Sequence, residues 1–324
     1  MSRTVPRILI HNSETDALAT RLAEAVPNAE IATHESYEGL CDVIAGFRPD
    51  VAYSVAFKGR QGFPREALLR IGGPEWITVG GAGVDHLVPW DTGAVTVCNS
   101  AGVAAGMMAE YTMGMILHFT LDVPGLQADQ AERHWDPHRK MVPMHGKTML
   151  IVGLGQNGHA VAQRAKAFGC TVIGTRARPC QMDHVDEVHA PDALPKLWGR
   201  ADFVVIATPL VPSTRGMVGA TAFAAMKPSA VLVDISRGGV VDGHACAAAM
   251  EAGEIAGAAL DVFEVEPLPQ DSAMWTLPNV IISPHCSAVY TEWAMQSFDL
   301  FLANLARWQA GDALNNIVNP ERGY

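Results

Sequence analysis

The chain has 324 residues, 49 % of them hydrophobic and 18 % charged, which excludes an intrinsically disordered protein and provides for one large or two ordinary domains. The formal net charge of −11 disfavours nucleic-acid binding, and an acidic small ligand would need locally placed arginines. Six cysteines without a Cys-x-x-Cys pair, and an N-terminus without a signal-peptide apolar run, predict a reduced, cytoplasmic protein.

The first third of the chain alternates short apolar runs with helix-like stretches, which is typical of a parallel α/β sheet. The predicted strands are residues 8–10, 51–55, 76–79 and 95–97, and the predicted helices are residues 17–26 and 66–71. A long apolar helix is predicted at residues 104–119. Glu110 and His118 argue against a membrane span there. The following residues, 121–146, are rich in Pro, His and charge and are predicted to be irregular.

A second βα series begins at Lys147 and shows where a ligand would bind. Its predicted strands are residues 149–152, 171–173, 203–207, 231–235, 256–260 and 280–282. Each run is followed directly by glycine or polar residues, and open parallel sheets bind ligands at the carboxyl ends of their strands. The series therefore predicts a doubly wound sheet with a single ligand cleft. A final helix is predicted at residues 291–310, with one apolar face.

The first strand of the second series leads into a glycine-rich turn. The motif Gly153-Leu-Gly155-Gln156-Asn157-Gly158 matches G-x-G-x-x-G between a strand and an amphipathic helix. Its glycines permit a tight turn, close approach of a pyrophosphate, and packing of the helix on the strand, while the helix N-terminus offers N–H groups to the anion. This context predicts binding of a dinucleotide rather than a ligand-free turn.

The end of the second strand of this unit predicts which dinucleotide binds. A carboxylate that would bind the ribose hydroxyls is missing after Thr175, and Arg176 and Arg178 stand in its place. Guanidinium groups match the geometry and charge of a 2′-phosphate. We therefore expect NADP(H) to be preferred over NAD(H). The alternative is that both arginines belong to a solvated loop.

Three further segments carry a family resemblance. They read DISRGGVVD (residues 234–242), DVFEVEPLP (residues 261–269) and NVIISPHCSA (residues 279–288). In this order after the glycine turn, they resemble the D-2-hydroxyacid dehydrogenase family over most of the chain. GGAGVDHL (residues 80–87), MAEY (residues 108–111) and the terminal RGY (residues 322–324) are most similar to its glyoxylate/hydroxypyruvate reductase A branch.

The resemblance implies a reductase with three catalytic residues. Arg237 would hold and polarise a 2-oxo acid, His285 would donate the proton, and Glu266 would orient the imidazole. The chemistry asks for these residue types, because hydride arriving at a carbonyl carbon builds negative charge on the oxygen. Histidine supplies a proton near neutral pH, and arginine supplies a bidentate clamp for a carboxylate.

The resemblance also implies a layout and further contacts. A discontinuous substrate domain (residues 1–102 and 289–324) would flank an inserted Rossmann domain (residues 103–288), both doubly wound parallel sheets, in a homodimer. The substrate carboxylate would meet backbone N–H groups near Ala82 and Gly83, and Trp135 is a candidate wall of the substrate pocket, with local packing as the alternative. The cofactor would also meet Thr208, Pro209, Ile235, Ser236 and, through the nicotinamide carboxamide, Asp261.

Three other functions occur in proteins of this fold and stay open. They are the oxidation of phosphite, the reduction of a bulkier 2-oxo acid, and non-catalytic sensing of NAD(P)H. Formate oxidation is disfavoured, because formate enzymes lack the glutamate that Glu266 matches. His134, His138 and His145 lack a completing carboxylate or cysteine at metal-ligand spacing, so no metal site is predicted. Neither an α/β-hydrolase nucleophile elbow nor a P-loop is present.

Overall fold

The structure is a computed structural model that describes residues 5–57 and 60–322. The chain divides into two compact units, which we call the outer-segment unit (residues up to Val103 and from Tyr290 onward) and the central unit (Ala104–Val289). The predicted boundaries, after residues 102 and 288, each fall one residue earlier. Residues 1–4 and 323–324 of the predicted substrate domain lie outside the described residues, as do the last two letters of the RGY motif.

The outer-segment unit contains a parallel sheet in the order β2-β1-β3-β4-β5. Its strands are β1 (Arg7–His11), β2 (Glu30–His34), β3 (Val51–Ser54), β4 (Trp76–Val79) and β5 (Thr96–Cys98). The helices between these strands are α1 (Asp16–Ala25), α2 (Leu40–Phe47) and α3 (Arg65–Leu68). Every residue of β3 and β4 is buried, as expected for the middle strands of a parallel sheet.

The central unit is a second parallel sheet, in the order β12-β11-β10-β9-β6-β7-β8. It opens with α4 (Ala105–Thr120) and α5 (Val123–Glu132). The strands are β6 (Thr148–Val152), β7 (Thr171–Thr175), β8 (Glu187–His189), β9 (Phe203–Ile206), β10 (Val231–Asp234), β11 (Gly257–Leu260) and β12 (Val280–Ile282). The helices among them are α6 (Gln156–Ala167), α7 (Leu194–Leu197), α8 (Ala220–Ala225) and α9 (Gly243–Ala252).

The last helix, α10 (Trp293–Ala310), returns to the outer-segment unit. Phe298, Phe301 and Leu305 on its apolar face are fully buried. Phe298 and Phe301 pack against Tyr53, and Phe301 stacks on Trp76. The apolar face predicted for this helix therefore has its partner in the β3–β4 region. The predicted fold class, two parallel-sheet α/β units, is confirmed.

The structure differs from several sequence expectations, and the helix predicted at residues 66–71 spans only Arg65–Leu68. Strands β2 and β8 were not predicted, because both are edge strands with few apolar residues. The prediction that residues 121–146 are irregular was wrong over Val123–Glu132, which is a helix. Asp122 caps that helix by accepting from the N–H of Gly125, and the proline falls in the first turn, where it costs no hydrogen bond.

In the described part of the chain, none of the helices has the length and apolar character needed to span a bilayer.

Candidate active site

The carboxyl ends of the strands in the central unit meet at one edge of its sheet. Strands β6 and β9 are neighbours in the sheet but far apart in sequence, because the chain runs outward through β7 and β8 and then returns to the other side of β6. Such a reversal opens a crevice beyond the strand ends. The sequence-predicted cofactor residues lie at this edge.

The turn after β6 accepts only glycine at its first position. Gly153 has a φ of +106°, and a Cβ added there would lie 2.7 Å from the carbonyl carbon of Ala207 and 2.8 Å from the amide nitrogen of Thr208. A Cβ on Gly158 would overlap the carbonyl oxygen of Gly153. The turn is therefore pressed against the end of β9 and against its own helix, as the motif requires.

The start of α6 leaves room for an anion. Gly155 precedes the helix, no side chain caps the helix end, and no described atom would come within 4 Å of a Cβ added at Gly155. The first-turn N–H groups, at Gln156 and Asn157, point out of the helix end by the geometry of any α-helix. The residues present thus fit the pyrophosphate of a dinucleotide.

The end of β7 supports this turn and carries the two arginines. The buried Thr175 accepts hydrogen bonds at its carbonyl oxygen from the N–H groups of Gly153 and Leu154, at 3.1 and 2.8 Å. Arg176 is half-buried and its Nη1 lies 3.2 Å from both Cys180 Sγ and Met182 Sδ. Arg178 and its neighbours are exposed. Within the described residues neither guanidinium is held by a carboxylate.

The end of β10 positions Arg237. Asp234 is buried and accepts hydrogen bonds at Oδ1 from the N–H and Oγ–H of Ser236, at 2.9 and 2.6 Å. Burial raises the pKa of Asp234 to about 7. Arg237 Nη1 donates to the carbonyl oxygen of Ser236 at 2.8 Å. Asp234, for which the sequence predicted no role, thus shapes the turn that carries the arginine.

The turns after β10 and β11 touch each other. A Cβ on Gly238 would overlap the carbonyl of Phe263. The backbone beside Arg237 is therefore in close contact with the segment that leads to Glu266, and there is no room for a side chain between them. This contact explains why glycine follows the arginine. It also brings the two predicted catalytic segments to one place at the sheet edge.

His285 and Glu266 form a hydrogen-bonded pair. His285 Nδ1 lies 2.8 Å from Glu266 Oε2, and the other carboxylate oxygen of Glu266 accepts the N–H of Phe263 at 2.9 Å. The His285 side chain is 43 % exposed, and Nε2 is the ring nitrogen that Glu266 does not contact. A carboxylate oxygen accepts hydrogen bonds, so this contact places a proton on Nδ1 of His285.

Asp261, which follows β11, holds the loop that carries His285. Its Oδ1 accepts from Ser283 Oγ at 2.5 Å and from Cys286 N–H at 2.8 Å, and its Oδ2 accepts from Ser287 N–H at 3.0 Å. The N–H of His285 donates to the carbonyl oxygen of Asp261 at 2.9 Å. Oδ2 retains one lone pair for a further donor. Sequence reasoning assigned Asp261 only to the cofactor and missed this structural role.

The remaining predicted residues fall into two groups. In the central unit, Ile235 and Ser236 are buried, so they offer mainly backbone to a ligand, and Pro209 is partly exposed beyond β9. Trp135 is 89 % exposed, so local packing does not account for it. In the outer-segment unit, Ala82 and Gly83 follow β4, and the carbonyl oxygen of Ala82 accepts from Asn99 Nδ2. The roles of these residues stay predictions.

Comparison with known proteins agrees with this geometry. Residues 113–287 match the family model for the NAD-binding domain of D-isomer specific 2-hydroxyacid dehydrogenases. A D-3-phosphoglycerate dehydrogenase from Methanocaldococcus jannaschii is 33 % identical over 308 residues, which are 93 % of this chain and 57 % of that protein. The chain spans about half the length of the phosphoglycerate dehydrogenases that it matches. A glyoxylate reductase from Korarchaeum cryptofilum is 32 % identical over 244 residues, 70 % of each chain.

Several solved structures resemble the whole chain, among them the following two. A D-isomer specific 2-hydroxyacid dehydrogenase from Xanthobacter autotrophicus, in complex with NADPH and MES, has a TM-score of 0.84 and 28 % identity over 99 % of this chain and all of that one. An NADPH-dependent glyoxylate/hydroxypyruvate reductase from Sinorhizobium meliloti, in complex with NADP and sulfate, has a TM-score of 0.80 and 26 % identity over the same shares.

Proposed function

The chain belongs to the D-isomer specific 2-hydroxyacid dehydrogenase family, as its sequence motifs predicted, and from this premise we propose that it reduces a small 2-oxo acid with NADPH. Glyoxylate and hydroxypyruvate are the proposed substrates, and the products are the corresponding 2-hydroxy acids. The observation that carries the proposal is the His285–Glu266 hydrogen bond, at the sheet edge where Arg237 also lies. The names of the relatives support the choice of substrate.

The proposed mechanism assigns one task to each of the three residues. Arg237 binds the carboxylate of the 2-oxo acid and places positive charge beside the carbonyl oxygen. His285 donates the proton at Nε2 to that oxygen as negative charge develops on it. Glu266 keeps the proton on Nδ1 and stabilises the charged imidazole. When bound at the glycine turn, the nicotinamide nucleotide supplies the hydride.

A substrate panel tests the proposed activity. We expect NADPH oxidation with glyoxylate and hydroxypyruvate to exceed that with 2-oxo acids bearing larger side chains. If a bulkier 2-oxo acid were reduced faster, or if phosphite reduced NADP⁺, that compound would be the substrate instead of glyoxylate or hydroxypyruvate. Tight NADPH binding without turnover of any compound in the panel would refute the proposed activity and support an NADPH-sensing protein.

The preference for NADPH is proposed on the two arginines after β7. We expect the double variant Arg176→Asp with Arg178→Ala to shift the NADPH/NADH ratio of kcat/KM toward NADH by about 10- to 100-fold, because it replaces a phosphate clamp with a repelling charge. The measurement is kcat/KM for each cofactor at a fixed concentration of the 2-oxo acid.

A matched control separates local recognition from net charge. Lys196→Asp with Arg133→Ala makes the same change in charge at exposed positions elsewhere in the central unit, and we expect the cofactor ratio to stay within about twofold. An unchanged ratio in the Arg176/Arg178 variant would mean that these arginines belong to a solvated loop.

Three further predictions accompany the proposal. Backbone N–H groups near Ala82 and Gly83 bind the substrate carboxylate, and Trp135 contributes to a substrate pocket. The active form is a homodimer, which light scattering of the purified protein would test. A monomer of full activity would contradict the last of these.

A further inference from the structure

A chain of hydrogen bonds links helix α4 to the loop that carries His285. The hydroxyl of Tyr111 lies 2.7 Å from Ser283 Oγ, and Ser283 Oγ lies 2.5 Å from Asp261 Oδ1. All three residues belong to the central unit. The mechanism proposed above uses neither Tyr111 nor Ser283.

The direction of each hydrogen bond follows from the groups involved. Ser283 Oγ donates its single hydroxyl proton to Asp261 Oδ1, which also accepts from the N–H of Cys286. Ser283 is then the acceptor in its contact with Tyr111, and the tyrosine hydroxyl is the donor. Burial raises the pKa of Tyr111 to about 12, so this hydroxyl keeps its proton at neutral pH.

The loop that this chain reaches is held in an uncommon conformation. His285 has a φ of +52°, in the left-handed region that a non-glycine residue adopts only when its surroundings enforce it. The N–H groups of His285, Cys286 and Ser287 all donate to Asp261, the first to its backbone oxygen and the others to its carboxylate. The orientation of Asp261 therefore sets the orientation of the imidazole.

We propose that Tyr111 and Ser283 are positioning residues for the proton donor, and that they act by orienting the Asp261 carboxylate on which the His285 loop is built. The inference rests on the proposed function insofar as His285 is the donor. The contacts themselves concern only where the imidazole points. Neither Tyr111 nor Ser283 is assigned a contact with substrate.

The first experiment removes the tyrosine hydroxyl. We expect Tyr111→Phe to lower kcat about three- to tenfold, the effect of one lost hydrogen bond expressed in the rate, with KM for the 2-oxo acid within about twofold. The matched control is Tyr53→Phe, since Tyr53 also donates to a serine, Ser297, at 2.9 Å and also has its pKa raised to about 12 by burial. The control loses the same kind of contact in the other unit, and we expect its kcat to be unchanged.

The second experiment observes His285 without turnover. Ring ¹⁵N chemical shifts of His285, assigned with a His285→Gln variant, report the hydrogen bond at Nδ1 directly. We expect Tyr111→Phe and Ser283→Ala to move the Nδ1 signal toward its position in Glu266→Gln. Ser283→Thr keeps a hydroxyl, so its Nδ1 signal and its kcat should both be close to those of the parent.

The outcomes separate this inference from the proposed function. A shifted Nδ1 signal with reduced kcat supports both. A shifted signal with unchanged kcat supports the positioning role and refutes His285 as the proton donor. An Nδ1 signal that stays at its wild-type position in both Tyr111→Phe and Ser283→Ala overturns the inference, whatever happens to kcat.

Discussion

Both sheets carry histidines at the carboxyl ends of strands, and two of them, His11 and His285, differ in nearly everything else. His11 is the last residue of β1, with 0 % of its surface exposed, and its ring nitrogens contact Ser54 Oγ at 2.8 Å and the carbonyl oxygen of Ser36 at 3.2 Å. His285 follows β12, is nearly half exposed and faces the carboxylate of Glu266.

The surroundings decide the chemistry of each ring. Burial lowers the pKa of His11 to about 4, and the aromatic rings of Phe57 and Tyr37 lie 4.9 and 5.8 Å from it, so at neutral pH it is an uncharged core residue. His285 has a negative partner and open access for a ligand. A strand-end position is therefore insufficient to identify a proton donor; partner and exposure are what distinguish the two.

The largest expected effect comes from removing the exposed histidine. We expect His285→Ala to lower kcat about 10²- to 10⁴-fold, because the developing oxyanion loses the proton donor that we propose for it. Cofactor affinity, measured by fluorescence titration with NADPH, should change little. A variant with more than a tenth of the parent kcat would remove His285 from the mechanism.

The buried histidine should affect stability instead of rate. Its folded-state pKa of about 4 lies below the ordinary 6.5, so the unfolded chain binds a proton that the folded chain rejects. Its full contribution is present above pH 6.5, and about 3 kcal/mol is lost as the pH falls toward 4. The measurement is the free energy of unfolding in urea between pH 7.5 and 4.

The non-titrating variant His11→Asn provides the comparison for that measurement. We expect it to be less stable at neutral pH, because the core around the ring is disturbed, but to lose less stability on acidification than the parent. Parallel curves for the two proteins would show that His11 does not carry the acid dependence.

The partner of His285 can be changed without altering its shape. Glu266→Gln keeps the size of the side chain but replaces the carboxylate beside Nδ1 of His285 by an amide, so we expect kcat to fall about 10- to 100-fold. KM for the 2-oxo acid should change by less than about twofold. A kcat equal to that of the parent would contradict the role of Glu266.

The smallest effect is expected at a second histidine–carboxylate pair, His189 and Glu187. His189 Nε2 lies 3.0 Å from Glu187 Oε2 on the surface of the central unit, and the pKa of Glu187 is lowered to about 2 by Arg200 and then by His189. The stabilisation is present above pH 4.5 and lost as the pH falls toward 2. Glu187→Gln should cost at most about 1 kcal/mol in urea unfolding at pH 7. We expect kcat to be unchanged in Glu187→Gln. A tenfold loss of kcat would show that a hydrogen-bonded histidine–carboxylate pair identifies a catalytic site whatever its position.

The sequence alone predicted the glycine turn, because its motif joins local backbone demands to the chemistry of a dinucleotide. Arg237, Glu266 and His285 were assigned through the family resemblance that their motifs carry, and their roles stay predictions. The buried strands were found for a related reason, since a strand covered on both faces reads as a continuous apolar run.

Tertiary structure decided what local patterns do not record. The edge strands β2 and β8 pair on one side only and carry little apolar signal, and α5 depends on a cap at Asp122. The hydrogen bonds from Tyr111 through Ser283 to Asp261 join residues on three separate elements. Whether a histidine is buried like His11 or exposed like His285 depends on what the fold packs around it, because desolvation and partner charge are properties of the assembled sheet edge and not of the residue.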